Sequence, residues 1–236
     1  MHQPKGFVDG TKPDFVCLLN RALYGLKQLP SEWFQDIDKY LSTLFLKRSF
    51  SNGNLYYHHL DGLLILIILY VNDVIITGSH KTRMYSIRDT LMENFKMTYL
   101  SLTKKFLGLQ FSWLPDGILL HQTAYVLSLL AEFGLADCNP CKTPLQSSLK
   151  LSNYTGTPTV DAQLYQRMVG KLIFLTHTPP DIAFAVNLVS RYMQQRQLAH
   201  MQAVNTILMY LKETFSLGLH YRRGDQLVLT PYIDAD

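Results

Sequence analysis

Cysteine is scarce in this chain, three in 236 residues, and the three show no disulfide-style spacing. The secreted, disulfide-framework classes are set aside. No segment with a charged start, an apolar middle and a small-residue cleavage site opens the chain, which points to an intracellular protein with reduced thiols. Charge is sparse as well. Lys, Arg, Asp and Glu make up 17% of the residues, below the roughly 25% usual for a soluble domain, and such a surface is expected to lie against neighbours. The 22 basic against 18 acidic residues leave +4, which permits a nucleic-acid partner without demanding one. Long hydrophobic runs are also missing. The most apolar stretch, Leu63 to Val71, is half of the about 20 residues that a spanning helix needs, and the Asn72-Asp73 pair after it is costly in lipid. No membrane partner is expected. No period of about 20 to 50 residues recurs, which excludes solenoids and propellers, and no P-loop, dinucleotide fingerprint or nucleophile elbow is present.

What the chain does have is 47% hydrophobic and 12% aromatic residues, enough to bury one large domain or two small ones and to exclude disorder for most of its length. Residues Met1 to Lys12 read as an extended loop. From Ser31, Trp33, Phe34, Ile37, Tyr40, Leu41 and Leu44 recur at helical spacing. Leu55 to Leu60, Leu64 to Val71 and Val74 to Thr77 predict a small antiparallel sheet, the last two strands being buried on both faces, and Met84 to Phe95 a helix packed across it. Phe106 to Trp113 and Ile118 to Gln122 predict a second hairpin about Leu114-Pro115-Asp116-Gly117, followed by a helix capped by Thr123 and closed at Gly134. A Pro-rich stretch, Ala136 to Pro158, is the linker candidate. Helices are predicted over 161–175, 180–194 and 199–212, then strands over Leu217 to Tyr221 and Leu227 to Ile233.

Four features invite chemistry. The Asn72-Asp73 turn between two apolar strands presents a carboxylate at a fixed point, though Asn-Asp is also ordinary turn chemistry. In Arg21-Ala-Leu-Tyr-Gly-Leu-Lys-Gln28, Gly25 permits close backbone approach with Lys27 and Gln28 beside it, as in a phosphate site or in a plain helix-leading loop. Cys138-Asn-Pro-Cys141 has metal or redox spacing but lacks the second pair that a structural zinc needs. The basic pairs Lys47-Arg48, Lys104-Lys105 and Arg222-Arg223 suit phosphates or a solvated surface.

In order along the chain, QPKGF (Gln3 to Phe7), VCLLNRALYGLKQLPSEWF (Val16 to Phe34), LYVNDVIITG (Leu69 to Gly78), FLGLQF (Phe106 to Phe111), GILLHQTAYV (Gly117 to Val126), DCNPCKTPL (Asp137 to Leu145), PPDIAFAVN (Pro179 to Asn187) and PYIDAD (Pro231 to Asp236) resemble the reverse transcriptase of copia-type long-terminal-repeat retrotransposons. The resemblance covers almost the whole chain. It implies an α+β fold: a partial right-hand polymerase with a palm sheet and packed helices, then a helical thumb or connection, then the start of a ribonuclease H domain. The corresponding divisions are 1–113 for partial fingers and palm, 114–158 for a hairpin strand, helix and linker, 159–215 for thumb and connection, and 216–236 for the first ribonuclease H hairpin. It implies two-metal nucleotidyl transfer with Mg²⁺ on palm aspartates, acting on an RNA or DNA template–primer duplex and dNTPs, with the remainder of a Pol polyprotein as neighbour, in a cytoplasmic particle or nucleus.

Carried onto this chain, the catalytic turn is Tyr70-Val71-Asn72-Asp73, with Asn72 and Asp73 at the metal positions. Tyr24, Gly25 and Gln28 are implied to face nucleotide and template, Phe106, Leu107 and Gly108 to grip the primer, and Asp234 to be the first acid of the ribonuclease H site. Two departures bear on activity. Asn72 stands where the family has the first aspartate of its Tyr-Val-Asp-Asp turn, and the other palm aspartate is expected upstream of Gln3. Smaller departures are Lys5 in place of Glu and Pro179 in place of Arg. Asp73 alone is expected not to hold Mg²⁺ productively against its hydration, so the expectation is an inactive polymerase region. The alternative is a non-catalytic remnant that binds nucleic acid or protein.

Overall fold

The computed structural model describes residues 2–18, 29–60, 62–71, 73–146, 149, 151–154 and 156–224. The chain forms two compact units that divide between Ser101 and Leu102.

In the first unit, α1 (Leu29–Thr43) buries Ile37 and Leu41, four residues apart on one stripe. Four antiparallel strands follow in the order β1 (Lys47–Arg48), β2 (Leu55–Leu60), β3 (Leu63–Tyr70) and β4 (Asp73–Gly78), and then α2 (Lys81–Asn94). The His80 ring caps α2 by accepting the Arg83 N–H at 3.4 Å. Side chains alternate along β3: Ile65, Ile67 and Leu69 are buried with Ile37, Leu41, Ile87 and Leu91, while Leu64 and Tyr70 are exposed and Leu66 and Ile68 half-buried. The expectation of strands buried on both faces is therefore corrected, because both helices supply apolar stripes to one face only. Tyr56 is fully buried and donates to Asp38; burial first, then this carboxylate, raises the phenol pKa. The segment before α1 is pinned by Gln3, whose amide donates to the carbonyls of Lys12 (2.8 Å) and Phe15 (2.9 Å) and accepts the Asp9 N–H at 2.6 Å.

The second unit has an antiparallel sheet in the order β5 (Lys105–Phe106), β6 (Leu109–Leu114), β7 (Gly117–His121) and β8 (Gly218–Arg222). Its helices are α3 (Thr123–Glu132), α4 (Ala162–Leu175), α5 (Ala183–Ser190), entered through a 3₁₀ turn at Pro180–Ile182, and α6 (Leu198–Thr214). The core is helix on helix: Leu129 and Leu130, Val169 and Leu172, Val186 and Val189, and Ile207 and Leu208 come from the four in turn.

Several sequence expectations shift here. The strand expected over 106–113 is broken at Leu107-Gly108, where the chain reverses between β5 and β6. The hairpin expected about Pro115-Asp116 is present, with Leu114 opposite Gly117. Thr123 does not cap α3; its hydroxyl donates to the Phe215 carbonyl at 3.0 Å, and Gln122 holds the cap position. The long helix expected over 180–194 is a 3₁₀ turn plus eight helical residues. The last strand, β8, pairs with β7, His220 opposite Leu119. The strand expected over Leu227 to Ile233 lies outside the described residues.

Candidate functional site

In the β3–β4 hairpin, Tyr70 pairs with Asp73, leaving a two-residue loop of Val71 and Asn72. Short loops of this length match the strand twist best when their backbone takes positive φ, a geometry that suits Gly, Asn and Asp. Val71 nevertheless has φ 51°, and it is 57% exposed. A β-branched residue in the left-handed region is a genuine outlier, and strain of this kind is retained where the surroundings over-determine it. Behind it, β3 and β4 run in unbroken register from Leu69 opposite Val74 to Ile65 opposite Gly78. The sheet thus holds the exposed Asp73 carboxylate at a fixed tip. Asn72 lies outside the described residues.

A second strained tip lies between β5 and β6. Phe106 pairs with Leu109, and both intervening residues have positive φ, 50° at Leu107 and 84° at Gly108. That pair of signs defines a type I′ turn, which Gly adopts freely and Leu does not. Leu107 is 43% exposed. A Cβ on Gly108 would stand 2.8 Å from Cζ of Phe174 on α4. The Phe174 ring is itself held edge-on against Tyr125 at 5.0 Å and His177 at 5.9 Å, so the glycine is required by both space and backbone. Phe106, Leu107 and Gly108, singled out from sequence, are therefore brought together in one rigid turn.

Tyr24, Gly25, Gln28 and Asp234 lie outside the described residues. Among the described residues, no group of three or more His, Cys, Asp or Glu side chains is placed to hold a metal ion. Asp73 is the described carboxylate at the β3–β4 tip. Cys138 and Cys141 are both half-buried free thiols, and the Cys141 N–H is taken by the Met209 carbonyl at 3.2 Å. The basic pairs sort by contact. Arg48 lies 4.8 Å over the Phe34 ring and donates to Gly53 at 2.7 Å, a structural role. Lys104, Lys105, Arg222 and Arg223 are exposed, with Lys105 on β5 and Arg222 on β8, at opposite edges of one sheet. No helix among the described residues is long and apolar enough to cross a membrane.

Sequence reasoning missed the backbone strain at Val71 and Leu107, although Leu-Gly within an apolar run signals a turn at the second. It also missed a buried polar pair. The Thr178 hydroxyl donates to Gln122 Oε1 at 2.6 Å, both residues are almost wholly buried, and Gln122 Nε2 has no hydrogen-bond partner.

An acidic hairpin tip on a helix-backed sheet and a strained glycine turn in a helix-rich unit make this a mixed α+β chain of two units. Residues 1–147 match the family model described as Reverse transcriptase (RNA-dependent DNA polymerase). The chain is 37% identical over 236 residues to the retrovirus-related Pol polyprotein from transposon RE1 of Arabidopsis thaliana, covering 100% of this chain and 16% of that one. It is 36% identical to the corresponding polyprotein from transposon RE2 of the same plant, with the same coverage. The putative transposon Ty5-1 protein of Saccharomyces cerevisiae is 33% identical over 235 residues, 99% of this chain and 76% of that protein. No solved structure matches the chain. The chain belongs to the reverse transcriptase (RNA-dependent DNA polymerase) family, in its copia-type branch. It spans 16% of the length of the Arabidopsis polyproteins.

Proposed function

We propose that the chain is the palm-and-thumb region of a copia-type reverse transcriptase, one that holds primer–template duplex through its backbone but does not extend the primer. The first unit then serves as palm and the helices of the second as thumb and connection. The observation that carries this reading is the β3–β4 tip. The family's activity calls for divalent metal, Mg²⁺ in this proposal, which would neutralise charge developing on the triphosphate. On this reading the exposed Asp73 of the hairpin is the metal-binding carboxylate, and the neighbouring Asn72 supplies an amide oxygen without negative charge. Oxygen-ligand sites for Mg²⁺ rely on charged carboxylates to offset the ion's reluctance to dehydrate. The turn then carries one carboxylate, Asp73, where the family's turn carries two.

On this reading Phe106, Leu107 and Gly108 support the primer end through a rigid turn, and Tyr24, Gly25 and Gln28 face the incoming nucleotide and template. Asp234 would open a ribonuclease H site. The exposed cations Lys105 and Arg222 offer phosphate contacts that are blind to base sequence. The test is template-directed incorporation of dNTPs by the purified chain with Mg²⁺ or Mn²⁺. No incorporation is expected; incorporation above the no-enzyme level overturns the assignment of Asn72 as a disabling substitution.

A further inference from the structure

His200 is fully buried in the first turn of α6, three residues after Gln197. Its Nδ1 accepts the backbone N–H of Gln197 at 2.9 Å, and its Nε2 lies 3.0 Å from the carbonyl oxygen of Ser152. A carbonyl only accepts, so Nε2 carries the proton; Nδ1 receives an N–H, so it carries none. The ring is neutral and its tautomer is fixed by two backbone groups. It stacks on Tyr192 with centroids 4.2 Å apart and planes 13° from parallel. The Tyr192 hydroxyl in turn donates to the Leu151 carbonyl at 3.0 Å.

The stretches 151–154 and 156–159 form a strap across this end of α6. Besides the two carbonyls already named, the Leu198 N–H donates to Pro158 at 2.8 Å, the Ala199 N–H donates to the Thr157 hydroxyl at 3.3 Å, and Thr159 forms a β-bridge with Gln197. The orphan N–H groups that every helix N-terminus exposes are thus satisfied by the strap, by the His200 ring and, for the His200 N–H, by Gln197. A cavity of about 440 Å³ lies between the strap and the turn before α6, lined by Asn153, Tyr154 and Thr159 on one side and Gln194 to Gln197 on the other. The strap is held by these bonds and by Leu151, whose side chain packs against the helical core, and it borders open space at Asn153, Tyr154 and Thr159.

We propose that His200 is a proton-operated latch: the neutral ring closes the strap over the N-terminal end of α6, and protonation opens that end while the rest of the helical unit stays folded. Three effects act in the same direction. A proton on Nδ1 removes the acceptor and sets two N–H groups against each other. It places a positive charge at the positive end of a 17-residue helix. It also charges a fully buried ring, which burial already opposes: the His200 pKa lies below its ordinary 6.5, burial lowering it and the Ser152 carbonyl pulling the other way.

The groups around the ring do not offset this. The strap presents carbonyls, the end of α5 presents Tyr192, and Arg196 turns its guanidinium to the carbonyls of Met193 and Gln194. Tyr165 of α4, next to Tyr192, is bonded to the Val189 carbonyl. Asp161 is occupied at the α4 cap, where it accepts the Leu164 N–H at 3.0 Å. Because the folded pKa is depressed, the unfolded or open state binds the proton first. Closure is therefore complete above 6.5 and is lost as pH falls from there through the lower value of the buried ring.

Hydrogen exchange of the full chain between about pH 8 and pH 5, corrected for the intrinsic pH dependence of exchange, reads this directly. The expected result is at least a ten-fold loss of protection at the amides of Gln197, Leu198 and Ala199, which donate to the latch and strap, on acidification, with 165–175 unchanged. In His200→Gln the side chain still reaches back to the Gln197 N–H as in a capping box, but it cannot titrate. Protection there should be flat with pH. Wild-type protection that persists to pH 5, or the same loss in H200Q, overturns the latch. Should H200Q fail to fold, imidazole ¹⁵N shifts of the wild type decide: an Nε2–H ring whose protonation midpoint coincides with strap opening supports the latch, and an Nδ1–H ring or separate midpoints overturn it.

Discussion

Val71 shows what a single residue contributes at the candidate site. Its left-handed backbone costs on the order of 1 kcal/mol or more for an L-residue, and at 57% exposure the side chain recovers little through burial. Val71→Asn, a residue that tolerates this region, is expected to stabilise the first unit by about 1 kcal/mol, read as a raised denaturation midpoint at unchanged m-value. A lowered midpoint would mean that the valine makes a contact that outweighs its strain. Gln122 and Thr178 allow a second measurement. Removing one partner leaves a buried polar group unsatisfied, at a cost of about 1–3 kcal/mol, whereas replacing both is nearly neutral. Gln122→Leu should therefore destabilise the chain, and adding Thr178→Val should recover most of the loss in a double-mutant cycle. The orphaned Gln122 Nε2 makes this recovery larger than for a fully satisfied pair.

At the scale of elements, the β5–β6 turn separates backbone strain from packing. Gly108→Ala meets both a φ of 84° and the Phe174 ring, and is expected to cost at least about 1 kcal/mol. In a Phe174→Leu background the same substitution should cost less, since only the backbone penalty remains; equal cost in both backgrounds would show that the ring moves aside freely. Elements were legible in the sequence wherever one face is apolar. The α1 stripe through Ile37 and Leu41 and the Pro115-Asp116 hairpin stand where periodicity and turn chemistry put them. Other features turned on tertiary pairing, which local pattern does not encode. β3 reads as a run buried on both faces because Leu66 and Ile68 are apolar, yet neither faces the helices. The break at Leu107-Gly108 hides inside an apolar run, and β8 finds its partner β7 across some hundred residues. At the site, the hairpin that presents Asp73 was legible, because two apolar strands flank a polar pair. The strain at Val71 was not, because valine is the residue least expected there.

For the whole molecule, two separate apolar cores follow from the two units: one is centred on Ile67 and Leu69, the other on Leu172 and Ile207, and the two share no residue. Ile67→Ala and Leu172→Ala should each cost about 2–5 kcal/mol, and the double variant should show the sum to within roughly 0.5 kcal/mol. A clear departure from additivity would show that the two cores are coupled.

The most direct measurement of the proposed function is one titration of a labelled primer–template with the purified chain, at low and at moderate salt, followed by addition of dNTPs and Mg²⁺ to the bound complex. The expected result is weak binding that is indifferent to sequence, falls steeply with salt and leaves the primer at its original length. Extension of the primer would contradict the proposed loss of catalysis at Asn72, and absence of binding at low salt would contradict the proposed grip on duplex.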